Sequence, residues 1–293
     1  MPKYSIVTVV SNPDTYNLCL LQSLTKARVG YDIEIIPVIN TNNCYSACDA
    51  LNIGLDASKS DIVIFSHQDV SLIGDWFGRL NSIISNINGD WGVIGTAGIS
   101  LNFTDSDVSK WGGPINKNKI TVGQVWDSAS NLNNEPYWDG IKETTKVHCV
   151  DECLFAINKS TGLRFDQLFS GFHFYGVDVC MQARAAMFPI YCGDLPIIHH
   201  GQYSSSMTGK NGYWHFLRLL YSKWHWQFPV LLGTHFHWST SQRKNIHGDI
   251  EFIPNIISYI SSELSSDDGL NVIIKSCGIS EVKLKSDRQF GII

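Results

Sequence analysis

The sequence predicts an α/β fold, a mostly parallel sheet flanked by helices, followed by a mainly helical C-terminal appendage. Two observations carry the prediction. Short apolar runs rich in β-branched residues recur through the first third of the chain, at residues 33–39 and 61–65 among others. Such continuous apolarity marks strands buried on both faces. Between these runs, apolar residues recur at helical spacing, as at Leu20, Leu24 and Ala27. A strand–helix alternation of this kind builds a parallel sheet covered on both sides.

Taken in order, residues 4–10 form the first strand. Asn12 is suited to cap a helix and Pro13 to occupy its first position; Leu20, Leu24 and Ala27 continue that helix, and Gly30 stops it. Residues 33–39 form the second strand, where Pro37 has no N–H to give and so belongs at an edge or irregularity. Ala47, Leu51 and Leu55 mark the second helix, residues 61–65 the third strand, Trp76, Leu80, Ile83 and Ile87 the third helix, and residues 92–97 the fourth strand. Residues 100–140 break the pattern. They are rich in Asn, Gly, Asp and Ser, with Trp111, Trp126, Tyr137 and Trp138 scattered through them, and an irregular segment of that length is functional or disordered. Order returns with a strand at 146–158 and a helix at 174–187. Short strands at 189–192 and 197–198 follow, the last ending at His199-His200. An aromatic helix covers 213–228, and the tail holds a helix at 253–264 and a strand at 272–274. The predicted organisation is a domain over residues 1–210 and an extension over 211–293.

Composition narrows the function classes. A chain of 293 residues with 44% hydrophobic and 17% charged residues buries a core and is not a disordered chain. A net charge of −5 argues against a nucleic-acid partner, which calls for a basic face; an anionic small molecule still fits a locally positive pocket. Met1-Pro2-Lys3-Tyr4 leads straight into a strand, so no signal peptide is read, and no apolar run approaches the ~20 residues that span a bilayer. A cytoplasmic location is expected, with peripheral contact at the inner membrane face as a variant. The Cys residues at 19, 44, 48, 149, 153, 180, 192 and 277 contain no Cys-x-x-Cys and read as reduced thiols.

The chemistry concentrates at Asp61-Ile62-Val63-Ile64-Phe65-Ser66-His67-Gln68-Asp69-Val70, an apolar strand running into a polar tip. In open α/β sheets, ligands bind just beyond the carboxyl ends of the strands. In extended chain, residues i and i+2 point to the same side, so His67 and Asp69 face one spot. An imidazole and a carboxylate there suit a cation carrying an oxygen-rich, phosphate-bearing ligand.

This strand end resembles the metal-binding Asp-x-Asp of family 2 glycosyltransferases of the GT-A fold. It resembles more closely a bacterial subgroup whose strand ends His-Gln-Asp-Val; the resemblance covers roughly residues 4–205, with boundaries good to about a few residues. It implies a GT-A-like, Rossmann-type sheet and transfer of a sugar from a nucleotide-diphosphate sugar, UDP-sugar foremost, to a hydroxyl of a saccharide or lipid-linked saccharide. It further implies inversion, an Asp general base and a divalent cation (Mn or Mg), in a setting of bacterial surface-polysaccharide or secondary-metabolite glycosylation. The donor's nucleoside would lie against Val9, Val10, Ser11 and Asn12, against Asn40 and Thr41 at the end of the second strand, against Asn52, and beside His67 and Gln68. The cation would be held by Asp69 with His67 and one of His199 and His200, since adjacent strand residues face opposite ways. Imidazole suits manganese better than magnesium or calcium. His67 also reads as a hydrogen-bonded structural histidine.

The segment Phe172-His173-Phe174-Tyr175-Gly176-Val177-Asp178-Val179-Cys180-Met181-Gln182-Ala183-Arg184 resembles the family's Glu-Asp helix start. Asp178 stands at the Asp, Arg184 at the downstream Arg, and Val177 in place of the acidic neighbour. Asp178 is thereby the candidate base, with a helix-capping Asp as the competing reading; Glu152 is the reserve candidate. Trp111, Trp126, Tyr137 and Trp138 either stack on an acceptor sugar or pin their segment by burial. The aromatic helix, with only Arg218 and Lys223 as cations, reads better as a core or homodimer helix than as a membrane-surface one. His235-x-His237 lacks neighbouring ligands for zinc. Two alternatives remain. A nucleotidyltransferase forming a nucleotide sugar would need a Gly-rich cationic loop after the first strand, and Ser11-Asn12-Pro13-Asp14 has neither feature. The other is a non-catalytic nucleotide- or carbohydrate-binding module.

Overall fold

The computed structural model describes residues 3–101, 119–127, 136 and 138–201, helical positions 216, 219, 220, 223 and 224, and strands at 282–284 and 290–292. The chain divides into two compact units, one of residues Met1–Ser100 and Ile120–Ser205, the other of Leu101–Lys119 and Ser206–Ile293.

The first unit begins with β1 (Tyr4–Val10), whose every residue is buried. Burial of side chains such as Ile6, Val7 and Val10 contributes about 1.5–3 kcal/mol each. Asn12 then caps α1 (Pro13–Tyr16), its side-chain oxygen accepting from the Asp14 and Thr15 amides, with Pro13 at the first position. The helix passes through a π-helical turn (Asn17–Leu21) into α2 (Gln22–Ala27). Gly30 follows at φ +85, a left-handed conformation suited to glycine. β2 (Ile33–Ile39) lies at the sheet edge, and its Pro37 sits opposite Thr8 of β1. Ser46 and Asp49 bond reciprocally at the start of α3 (Ala47–Ala57). This helix crosses β1 so closely that a Cβ on Gly54 would collide with a Val7 methyl. Next come β3 (Ile62–Ser66), β4 (Val70–Leu72) and α4 (Trp76–Asn86), the last capped by Asp75.

The expected fourth strand divides at Thr96 into β5 (Val93–Gly95) and β6 (Ala97–Leu101). The supposedly irregular 100–140 segment contains a long strand, β7 (Lys119–Asp127), and its short partner β8 (Trp138–Asp139). The expected strand at 146–158 is three pieces: β9 (Thr145–Val147), β10 (Cys149–Val150) and β11 (Leu154–Asn158). Helix α5 (Tyr175–Ala185) and strands β12 (Ile190–Cys192) and β13 (Ile197–His199) close the unit.

These strands form two sheets. The seven-stranded sheet runs β2-β1-β3-β11-β5-β12-β9, and the six-stranded one runs β10-β6-β7-β13-β4 with β8 beside β7. The predicted parallel pairing holds for β1 with β2 and β3, and for β5 with β12. β11 enters between β3 and β5 antiparallel to both, so the sheet is mixed. A fully apolar run such as Leu154–Ile157 has the same appearance in either direction, which is why the sequence pattern does not distinguish the two. The site follows from where the sheets exchange chain: β3 belongs to the first sheet and β4 to the second, leaving His67, Gln68 and Asp69 as the crossing.

In the second unit, Phe216, Leu220 and Trp224 recur every fourth residue and are buried, the spacing of one helical face. Strands β14 (Val282–Leu284) and β15 (Phe290–Ile292) form an antiparallel pair, an addition to the helical content expected there. The expected helix at 253–264, the strand at 272–274, Trp111, Tyr137, Arg218, His235 and His237 lie outside the described residues. Among the described residues, no helix is long and apolar enough to cross a membrane.

Candidate active site

Three side chains meet at the sheet crossing. His67 follows the last residue of β3, its amide donating to the Cys153 carbonyl at 2.9 Å. Asp69 precedes β4. β13 pairs antiparallel with β4, setting His199 opposite Val70, and the His200 amide donates to the Asp69 carbonyl at 2.8 Å. His199 Nε2 thereby lies 3.4 Å from Asp69 Oδ1 and 3.4 Å from His67 Nδ1, and His67 Nδ1 lies 4.0 Å from Asp69 Oδ1. The three side chains are 26%, 23% and 15% exposed for His67, Asp69 and His199, open enough for a ligand yet largely desolvated.

Burial first, and then the neighbouring His199, pull the His67 imidazole down to about 4. Burial works to raise Asp69, but its hydrogen bond with His199 and the charges of the flanking imidazoles outweigh it and hold the carboxyl at about 2. Near neutrality, His67 is therefore uncharged and Asp69 ionised, the forms that ligate metals.

The residues fit a divalent cation. One ligand atom from each lies within 4.8 Å of the others, and a donor set of two imidazoles and one carboxylate suits manganese better than calcium. Gly201 supplies a second sign. A Cβ there would lie 2.7 Å from Asp69 Oδ2 and 3.0 Å from His199 Nε2, so any larger residue would crowd the side of the cluster that glycine leaves open. His200, also a candidate ligand, is not a member of this cluster. Its Nε2 lies 2.9 Å from Ser71 Oγ, on the side opposite His199, as adjacent strand residues require.

The strand ends expected to cradle a nucleoside do lie together: the Asn40 amide donates to the Val10 carbonyl at 2.8 Å, joining the ends of β1 and β2. Val9 and Val10 are buried, while Ser11, Asn12 and Thr41 are exposed there. Gln68 binds this loop to the sheet crossing. Its Oε1 accepts from the Ser11 and Asn12 amides at 3.0 and 2.9 Å, and its Nε2 donates to Ser11 Oγ at 2.8 Å. Asn40 spends both ends of its amide on the Tyr45 backbone, and Asn52 both ends of its own on the Phe165 backbone. Both amides anchor loops through these bonds.

The candidate bases have these settings. Asp178 lies in the first turn of α5 with no exposed surface and accepts from Gln182 Nε2 at 2.7 Å. It is not the helix cap, a position held by Phe174. Glu152 serves the N-terminus of α5: its carboxylate oxygens accept from the Phe174 and Gly176 amides, each at 3.2 Å. Burial, with Asp151 adding to it, pushes the Glu152 carboxyl well up, against the pull of those two amides.

Two residues unmarked in the sequence stand out instead. Asp151 is half-buried, with Oδ1 accepting from the Cys153 amide at 2.9 Å, and it acts electrostatically on His67. Tyr175 places its hydroxyl 2.6 Å from His67 Nε2. Of the expected acceptor aromatics, Trp138 is buried and donates to the Val122 carbonyl at 3.1 Å, the pinning role, while Trp126 is half-buried on β7.

Residues 5–213 match the sequence profile described as "Glycosyltransferase like family". The chain belongs to this glycosyltransferase-like family. The family relationship spans the whole His67–Asp69–His199 cluster and the strand ends beside it. A curated relative, "ATP synthase subunits region ORF 6" of Fuscovulum blasticum, is 26% identical over 155 residues, 50% of this chain. The chain spans about half, 55%, of that relative's length. Among solved structures, the chain is similar to a mannosyltransferase from Pyrobaculum calidifontis in complex with GDP-Man and Mn2+. That match has 10% identity and a TM-score of 0.40 over 94% of this chain and 74% of the other. It is also similar to A197 from STIV, with 11% identity and a TM-score of 0.35 over 71% of this chain and 98% of the other.

Proposed function

We propose that this glycosyltransferase-like protein moves a glycosyl group from a nucleoside-diphosphate sugar, a UDP-sugar foremost, to a hydroxyl of a saccharide or lipid-linked saccharide, with inversion. The observation that carries the reading is the His67–Asp69–His199 cluster at the carboxyl end of β3, joined through Gln68 to the loop after β1. Strand ends of that kind receive nucleotides in open α/β sheets. A divalent cation held by His67, Asp69 and His199, manganese by preference, would neutralise the charge on the departing diphosphate. Gln68 fixes the distance between the cation ligands and the nucleoside crevice around Ser11, Asn12 and Thr41.

An inverting displacement needs a carboxylate to take the proton of the attacking hydroxyl. With Asp178 sealed in the core and Glu152 engaged at the helix start, Asp151 is the carboxylate we assign to that task. We assign the transferase activity to residues 1–210, and to residues 211–293 a supporting role in acceptor binding or self-association.

The test is donor hydrolysis and transfer with UDP-sugars, with and without manganese, using wild type, Asp69→Ala and Asp151→Asn. The reading expects manganese-dependent turnover that Asp69→Ala abolishes, and that Asp151→Asn abolishes while UDP binding persists. Manganese-independent turnover, or UDP binding with no turnover in any condition, would overturn it, the second result in favour of a binding module.

A further inference from the structure

We propose that Tyr175 is a positioning residue that, with the Glu152 main-chain carbonyl, holds the His67 ring so that Nδ1 offers its lone pair to the cation site. The inference rests on the cation reading given above.

The geometry has three links. His67 Nδ1 faces Asp69 and His199, while Nε2 points away from them to the Tyr175 hydroxyl at 2.6 Å. That hydroxyl donates in turn to the Glu152 carbonyl at 3.4 Å. A neutral imidazole carries one proton. If Tyr175 gives its proton to the Glu152 carbonyl, its oxygen is left as an acceptor and draws the imidazole proton to Nε2. Nδ1 is then bare on the side of Asp69 and His199. The opposite tautomer would aim an N–H at those ligands and exclude a cation. A ligating histidine is tuned by the partner of its other ring nitrogen, and loss of such a partner weakens metal affinity by about 10–100-fold.

The local fold is built around this contact. Tyr175 is the first residue of α5, and Phe174 before it adopts φ 65, an uncommon left-handed conformation for a bulky residue. Glu152 stabilises this start by accepting the Phe174 and Gly176 amides, and Gly176 makes room for it, since a Cβ there would lie 2.6 Å from Glu152 Cβ. The residue that accepts from Tyr175 thus also fixes the helix that carries Tyr175. Such strain persists only where the surroundings over-determine it.

The test uses the full chain and two readouts. Nitrogen-15 NMR of metal-free wild type reads the His67 tautomer directly, and the inference expects the proton on Nε2. Manganese titration followed by electron paramagnetic resonance compares wild type with Tyr175→Phe, and about 10–100-fold weaker binding is expected with the metal-free melting temperature nearly unchanged. A proton on Nδ1 in wild type, or equal manganese affinity in Tyr175→Phe, would overturn the proposal. Should wild type bind no manganese, the cation reading fails, while the tautomer measurement still decides the role of Tyr175.

Discussion

His67 Nδ1 and His199 Nε2 lie 3.4 Å apart across 132 positions of sequence, because β13 pairs with the strand that begins immediately after Asp69. The cluster is therefore a product of sheet pairing.

Asp69→Ala removes the only carboxylate of the cluster. The folded protein should persist, and the stabilisation by manganese should vanish. In wild type that stabilisation is about 2.7 kcal/mol at one hundred times the dissociation constant. His199→Ala should do the same, whereas His200→Ala, whose ring meets Ser71 instead, should keep manganese binding within a few-fold. Thermal unfolding with and without manganese checks all three variants.

Gly201→Ala tests the open side of the cluster. Its Cβ would stand 2.7 Å from Asp69 Oδ2, backed by the ladder that holds β4 and β13. Manganese affinity measured by calorimetry should fall at least about tenfold, the scale of a disturbed ligand shell. Unchanged affinity would mean that the cation lies on the other side of Asp69.

Gln68→Ala deletes three hydrogen bonds between the loop after β1 and the sheet crossing. These bonds are exposed, so a stability loss of only about 1 kcal/mol is expected. Nucleotide affinity should fall more than manganese affinity, because the loop against the nucleoside loses its anchor. Parallel titrations with UDP and with manganese separate the two effects.

Acid should destabilise the metal-free protein in a defined window. The His67 pKa is about 4 when folded and 6.5 when free, so the unfolded chain binds the extra proton between those values. Stability is fully present above pH 6.5 and is lost as pH falls toward 4. Asp69, lowered from 3.8 to about 2, adds a second loss of the same sign below pH 4. Urea midpoints at pH 7 and pH 4.5 should differ less in His67→Gln than in wild type. An equal difference would show that His67 does not carry the effect.

The Asn12 cap, the edge placement of Pro37 and the meeting of His67 with Asp69 were legible because each depends on local chemistry: an Asn before Pro, a missing N–H, an i, i+2 relation. The choice between His199 and His200 was half legible, since alternation says that one faces the site and pairing with β4 says which. The burial of Asp178 was not legible. A carboxylate at a helix start looks the same whether it faces a crevice or, like Asp178, lies in the core beside Gln182. Nor did anything mark Glu152 as the acceptor of the Phe174 and Gly176 amides at the start of α5, because those bonds join residues far apart in sequence and arise only from the tertiary fold.

The most direct test of the central claim is a calorimetric titration of UDP into wild type and Asp69→Ala, with and without manganese. The account predicts tight binding only for wild type with manganese, and weak, manganese-insensitive binding for Asp69→Ala. Equal UDP affinity in all four conditions would contradict a cation held by His67, Asp69 and His199.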